Sequence, residues 1–163
     1  MHDVFMKTAL LFSGKSKCVS YHVGVVIVKN NRIIVTGYNG SPPGTLNCNE
    51  VFTCGCFDRD SHHVWSKDNE VHAEMNAIAF AAKNEVDING SDMYVTVSPC
   101  NDCLKNITMT GIKNVYYLYP YDKSVLNPAL TKIVNVAEIP GATELREWAE
   151  KNGLFPKQQN KCL

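Results

Sequence analysis

An α/β fold is predicted by three features of the sequence: alternating β-rich and helix-periodic segments, apolar content sufficient for one core, and a length suited to one unit. The 163 residues are 45% hydrophobic and 20% charged, which excludes a disordered or fibrous chain and suits a single domain over residues 1–163. Through its centre the pattern reads hairpin, helix, strand, helix, strand. Helices that join successive strands favour parallel pairing at that end of the sheet.

Val4, Phe5, Thr8, Ala9, Leu11 and Phe12 recur near helical spacing, so the chain opens on an amphipathic helix ending around Ser13-Gly14. Residues 24–29 are rich in β-branched side chains, Asn30-Asn31 supplies a turn, and 32–38 resumes the β pattern, which makes a hairpin. From 39 to 69, glycine, proline, asparagine, cysteine and histidine displace periodic hydrophobics. A long loop without a core needs another source of order, and metal is the candidate. Residues 70–83 return to helix, 93–97 form a strand after Asn89-Gly90, 100–109 form a second helix stopped by Gly111, and 115–119 form another strand. Past Tyr121, residues 126–134 read as helical despite Pro128, 144–151 as a helix stopped by Asn152-Gly153, and about 153–163 as a mobile or packed-on tail.

Sixteen basic residues balance sixteen acidic ones, which disfavours a broad cationic face for long nucleic acid but allows a small anionic ligand. The N-terminus lacks the basic start, apolar run and cleavage site of a secretory signal. The longest apolar-rich windows, 23–28 and 77–82, fall far below the ~20 residues a bilayer requires. A cytoplasmic protein with neither a membrane nor a nucleic-acid partner is expected. In that compartment its seven cysteines read as metal ligands and ordinary thiols, not as a disulfide framework.

The strongest signal has two halves. His72-Ala73-Glu74 stands at the start of one helix, and 28 residues later Pro99-Cys100-Asn101-Asp102-Cys103 stands at the start of another. Cys100 and Cys103, at i and i+3, are neighbours on a helical face, so two thiolates can meet one ion, with His72 as the third ligand. Helix N-termini lower thiol pKa and favour the ligand form. Three protein ligands are one fewer than a structural Zn2+ site uses, which leaves a position for water. Two thiolates and a neutral imidazole neutralise the ion formally, so it acidifies water less than an all-histidine site, and a helper base is needed. Glu74 is placed for that work. Taken alone, Cys-x-x-Cys also reads as a redox pair and His-x-Glu as a chance helix sequence.

The arrangement matches the signature of zinc-dependent nucleobase deaminases. Beyond it, Thr36-Gly37-Tyr38-Asn39-Gly40-Ser41-Pro42, His72-Ala73-Glu74-Met75-Asn76-Ala77-Ile78 and Met93-Tyr94-Val95-Thr96-Val97-Ser98-Pro99-Cys100-Asn101-Asp102-Cys103 resemble deoxycytidylate (dCMP) deaminases, the bacteriophage type above all, over roughly residues 16–123. The resemblance implies a cytidine deaminase-like three-layer α/β/α sandwich around a five-stranded mixed sheet. It implies hydrolysis of dCMP to dUMP and ammonia, for thymidylate synthesis, by a zinc-bound hydroxide that attacks C4 while Glu74 protonates N3. Peptide groups near Ala73, Ser98 and Cys100 are implied to hold the pyrimidine edge. Asn39 is implied to bond the substrate sugar, its other reading being a turn residue. Tyr121 resembles a tyrosine lining the pocket beside the base, and reads equally as a core or surface tyrosine.

The same resemblance implies a second, structural zinc held by Cys18, Cys48, His62 and Glu70 in an insertion at about 45–70, with Cys54, Cys56 and His63 as alternative ligands. It further implies a homohexamer activated by dCTP and inhibited by dTTP, with the effector near Tyr38, Asn39, Gly40 and Ser41. Phe80 and Lys83 are candidate subunit contacts, or else ordinary core and solvated helix end. No Gly-rich phosphate cradle is present, and Lys105, Lys123 and early-loop cations are the phosphate candidates. The choice of dCMP over deoxycytidine or dCTP therefore rests on the resemblance. Competing readings are a deaminase of nucleic-acid bases, which the balanced charge disfavours, and a noncatalytic zinc-stabilised module, which has no use for Glu74.

Overall fold

A computed structural model describes residues 1–53, 57–121 and 125–157; Cys54, Cys56, Lys123 and the last residues of the expected tail lie outside them. Among the described residues the elements run α1 (His2–Ser13), β1 (Gly24–Lys29), β2 (Arg32–Tyr38), α2 (Cys48–Val51), α3 (Arg59–Asn69), α4 (Ala73–Lys83), β3 (Asp92–Val97), α5 (Asn101–Thr108), β4 (Asn114–Tyr119), α6 (Pro128–Thr131), β5 (Asn135–Glu138) and α7 (Ala142–Lys151). The hairpin turn forms because Asn30 and Asn31 both accept positive φ, at 51° and 59°, as a two-residue primed turn requires.

The sheet order is β2-β1-β3-β4-β5. β1 is antiparallel to both β2 and β3, whereas β3, β4 and β5 are mutually parallel. β2, β3 and β4 therefore point the same way and end at one edge of the sheet. Strand alternation divides the core into two layers. Val25, Ile27, Met93, Val95 and Val115 face Ala73, Ala77, Ala81 and Ile107 of α4 and α5. Val26, Val28, Tyr94 and Leu118 face Phe5, Met6, Ala9 and Leu10 of α1 and Leu145 and Ala149 of α7. This is the α/β/α sandwich with a five-stranded mixed sheet that the resemblance implied.

Three segments differ from the reading of the residues. The stretch expected as loop contains α3, whose sequence is too polar to show an apolar period and which buries only His62. Its start is capped by Asp58, whose carboxylate accepts from Ser61 N at 2.9 Å. The helix expected from residue 70 begins at Ala73, because Glu70 and His72 are extended. The helix expected over 126–134 shrinks to one turn after the Asn127 cap and is followed by β5, too short and polar to stand out. The chain after α7 packs on the body as far as Lys157: Pro156 O accepts from His22 N at 2.8 Å, and Lys157 bridges to Tyr21. No described helix is long and apolar enough to cross a membrane.

Gly37 sets how closely α4 approaches the sheet. A Cβ there would lie 2.7 Å from Ala73 O and 2.9 Å from Ala77 Cβ. Gly37→Val should therefore cost about 1–3 kcal/mol of stability by forcing α4 outward. Gly40→Ala, where nothing lies within 4 Å, should stay within about 0.5 kcal/mol of the parent. Urea unfolding of the two variants checks the contrast, and equal losses would remove the close-approach argument.

Candidate metal centre and active site

Two helix starts meet at the edge where β2, β3 and β4 end. His72 is the N-cap of α4, and Cys100 is the N-cap of α5, its sulfur accepting from Cys103 N at 3.5 Å. Pro99 stands one residue before that cap and keeps the chain extended into it. His72 Nδ1 lies 3.6 Å from Cys100 Sγ and 3.4 Å from Cys103 Sγ, and the three donor atoms all fall within 4.8 Å of one another. Tetrahedral zinc, with Zn–S near 2.3 Å and Zn–N near 2.05 Å, sets an S···N edge of about 3.5 Å. The donor set and its spacing thus fit zinc with one coordination position left over.

Glu74, in the first turn of α4, is only 4% exposed yet lines a cavity together with His72, Cys100 and Cys103. Burial raises its pKa, while the nearby His72 charge and a bond with the Cys103 thiol work in the other direction. It is thus a carboxyl poised to hold a proton. Among the metal-free groups, the Cys103 thiol and His72 bring Cys100 down to about 4, and the Cys100 thiolate pushes His72 up to about 9. Cys103 keeps its proton, raised chiefly by donating to Cys100. Binding a metal here releases those protons. The four described cysteines are free thiols, Cys100 and Cys103 among them.

A second cluster gathers residues from four places in the chain. Cys18 Sγ lies 3.6 Å from His62 Nε2 and 3.3 Å from Glu70 Oε2, and Cys48 Sγ lies 3.3 Å from His62 Nε2. All four donors fall within 4.8 Å of one another. Oε2 of Glu70 also accepts from Ser66 Oγ at 2.6 Å, while its buried Oε1 has no hydrogen-bond partner. A buried, orphaned carboxylate oxygen beside two thiols and an imidazole suits a cation. Cys48 is lowered by the thiol hydrogen that Cys18 donates, and Cys18 is raised accordingly. His63, the alternative ligand, is exposed and outside this cluster.

Both clusters border one cavity of about 710 Å³. Asn39, Ala73, Ser98 and Tyr121 line it as well. Asn39 Oδ1 accepts from Val23 N at 2.8 Å and its Nδ2 donates to Tyr21 O at 2.9 Å. The amide therefore straps residues 21–23 to the end of β2, with one N–H and one lone pair to spare. Ser98 Oγ accepts from Tyr121 N at 2.8 Å, and the Tyr121 ring stands edge-on to Tyr21 at 6.1 Å. Tyr38, Gly40 and Ser41 are not among the lining residues. Gly40 instead pairs with Val71 through bonds of 3.1 and 2.9 Å, beside Glu70 and His72. Phe80 is 51% exposed, so it is not ordinary core. Lys105 is engaged with Asp102 at 2.7 Å.

Sequence reasoning singled out His62, His63 and Glu70 but missed the helix that carries them to the cavity, and with it Arg59, Ser66 and Lys67, which line the cavity beside them. Those positions fall at i, i+3, i+4, i+7, i+8 and i+11, one helical face written in polar residues. That polar stripe was the available signal.

Residues 1–119 match the family model described as the cytidine and deoxycytidylate deaminase zinc-binding region. The deoxycytidylate deaminase of Enterobacteria phage T2 is 40% identical over 171 aligned positions, covering 82% of this chain and 91% of that protein. The phage T4 deoxycytidylate deaminase is 43% identical over 150 positions, covering 73% and 78%. The crystal structure of the cyanophage S-TIM5 dCMP deaminase in complex with dCMP and dUMP superposes with a TM-score of 0.72 at 37% identity, covering 84% of this chain and 95% of that one.

Burial gives the site edge a defined acid response. His22, bonded through Nε2 to Cys18 O at 2.9 Å, is held below the ordinary 6.5 chiefly by burial. Its folded pKa lies below the unfolded one, so its contribution is complete above about pH 6.5 and is lost as pH falls through the folded value. The thermal midpoint should drop on acidification in that window, and His22→Gln should make the slope shallower. Identical slopes for parent and variant would contradict the assignment.

Proposed function

This chain belongs to the cytidine and deoxycytidylate deaminase zinc-binding family, and on that premise we propose that it hydrolyses dCMP to dUMP and ammonia. The observation that carries the proposal is the convergence of His72, Cys100 and Cys103 beside the buried Glu74 on one cavity. The dCMP and dUMP bound to the cyanophage relative support the substrate class.

When bound to His72, Cys100 and Cys103, zinc supplies Lewis acidity and lowers the proton affinity of water. Glu74 takes the proton of the attacking water and delivers it to N3 of the cytosine ring as oxygen adds to C4. The carboxylate then takes the second proton of the added water from the C4 hydroxyl and gives it to the departing amine, so that one water is consumed and one ammonia leaves. Its burial favours the protonated form that this second transfer needs. The backbone of Ala73, Ser98 and Cys100 orients the pyrimidine edge, Asn39 offers its spare N–H to the sugar, and Tyr121 closes the pocket beside the base.

Cys18, Cys48, His62 and Glu70 hold a second zinc in the same reading, with four protein ligands and therefore a structural role. Regulation by dCTP and dTTP through the Tyr38 to Ser41 loop, and a homohexameric assembly, complete the proposal. The Gly40–Val71 pairing supports it, since a shift of that loop reaches the segment that carries Glu70 and His72.

Ammonia release from dCMP, deoxycytidine, dCTP and a short RNA tests the activity. The expected result is preferred turnover of dCMP, and turnover of RNA with none of dCMP would overturn it. Glu74→Gln should retain the parent's metal content and lower kcat by roughly 10²–10⁴-fold. Metal counting should find two zinc ions per chain, falling to one in Cys48→Ser, and a single ion in the parent would remove the second site.

A further inference from the structure

We propose that the cavity face of α3 is the phosphate subsite, with His63 at its centre and Arg59 and Lys67 one helical turn to either side. The inference rests on the deaminase reading and adds to it the group that separates a nucleotide from a nucleoside. All three side chains line the cavity and are exposed. Positions 59, 63 and 67 are spaced i, i+4, i+8, about 6 Å of rise per step, so the two long cationic side chains can fold toward a ligand over His63.

The charge of the cavity favours such a subsite. Glu70, Glu74 and Asp102 also border it, and a phosphomonoester brought among these carboxyl groups needs compensating cations. Neither Arg59 nor Lys67 forms an ion pair among the described residues, whereas Lys105 is committed to Asp102. Arginine supplies a planar fork and lysine a point charge, both suited to phosphate oxygens.

α3 is also held rigidly enough to present them. Phe52 packs edge-on against His62 and Trp65 at 5.2 and 5.6 Å, while His62 and Glu70 enter the second cluster. The cluster residues His62 and Glu70 therefore fix the helix, and Arg59, His63 and Lys67 line the cavity beside them.

The test is steady-state kinetics of the zinc-loaded chain on dCMP and deoxycytidine, comparing the parent with R59Q, K67Q and the double variant, and K132Q outside the cavity as a control. The double variant should lose about 10- to 100-fold in kcat/KM for dCMP, and deoxycytidine turnover and the K132Q control should stay within about twofold. Inorganic phosphate should compete with dCMP in the parent and lose that effect in the double variant. Unchanged dCMP kinetics, or equal losses on both substrates, would overturn the subsite while leaving the deaminase intact. A parent inert on both substrates would overturn the deaminase reading, and the subsite with it.

Discussion

Everything at the site depends on two helix starts being brought to the same point. β3 delivers the chain through Ser98 and Pro99 to Cys100, and α4 begins beside it at His72, so three donor atoms from separate segments fall within 4.8 Å of one another. The N-terminal ends of both helices face that point, and their positive ends favour thiolate over thiol. The sheet supplies the common edge, because β2, β3 and β4 end together. The missing side chain at Gly37 allows α4 to lie close enough for its first turn to reach that edge. Chemistry and packing thus share one requirement: α4 must sit tight against β2.

The second cluster extends this arrangement to a region with little core of its own. Glu70 and His72 each belong to one cluster and are separated only by Val71, which pairs with Gly40. This short extended link ties α3 to the start of α4, so the orientation of a polar helix follows from the buried contacts of His62 and Glu70 with Cys18 and Cys48 and not from an apolar stripe. The return of the chain through Pro156 to His22 closes the same side of the cavity.

How much could be read without coordinates follows from how locally each feature is encoded. The His72 and Glu74 pair and the Cys100 and Cys103 pair each lie within one helical turn, so their residue types and spacing were enough to place them. β1 to β4 showed through their β-branched and aromatic runs. α3 did not, since nothing in Arg59–Asn69 alternates between core and solvent and its order comes from Asp58, His62 and Glu70. β5 escaped notice because four residues beside β4 carry little pattern. The grouping of Cys18, Cys48, His62 and Glu70 was legible only through family resemblance, because their separation along the chain conceals their adjacency. Asn39 carried two readings, a sugar contact by resemblance and a turn residue by its Asn-Gly pair, and neither shows that its amide bridges two backbone groups of a neighbouring segment.

The account stands or falls on the dependence of dCMP hydrolysis on metal held by His72, Cys100 and Cys103. The most direct measurement follows dUMP and ammonia together, first for the zinc-loaded chain, then after chelation, then after zinc is restored. One ammonia per dUMP, loss of both on chelation and recovery of both on reconstitution are predicted. Persistence of dUMP formation in the metal-stripped chain, or a fully zinc-loaded chain that leaves dCMP unchanged, would contradict it.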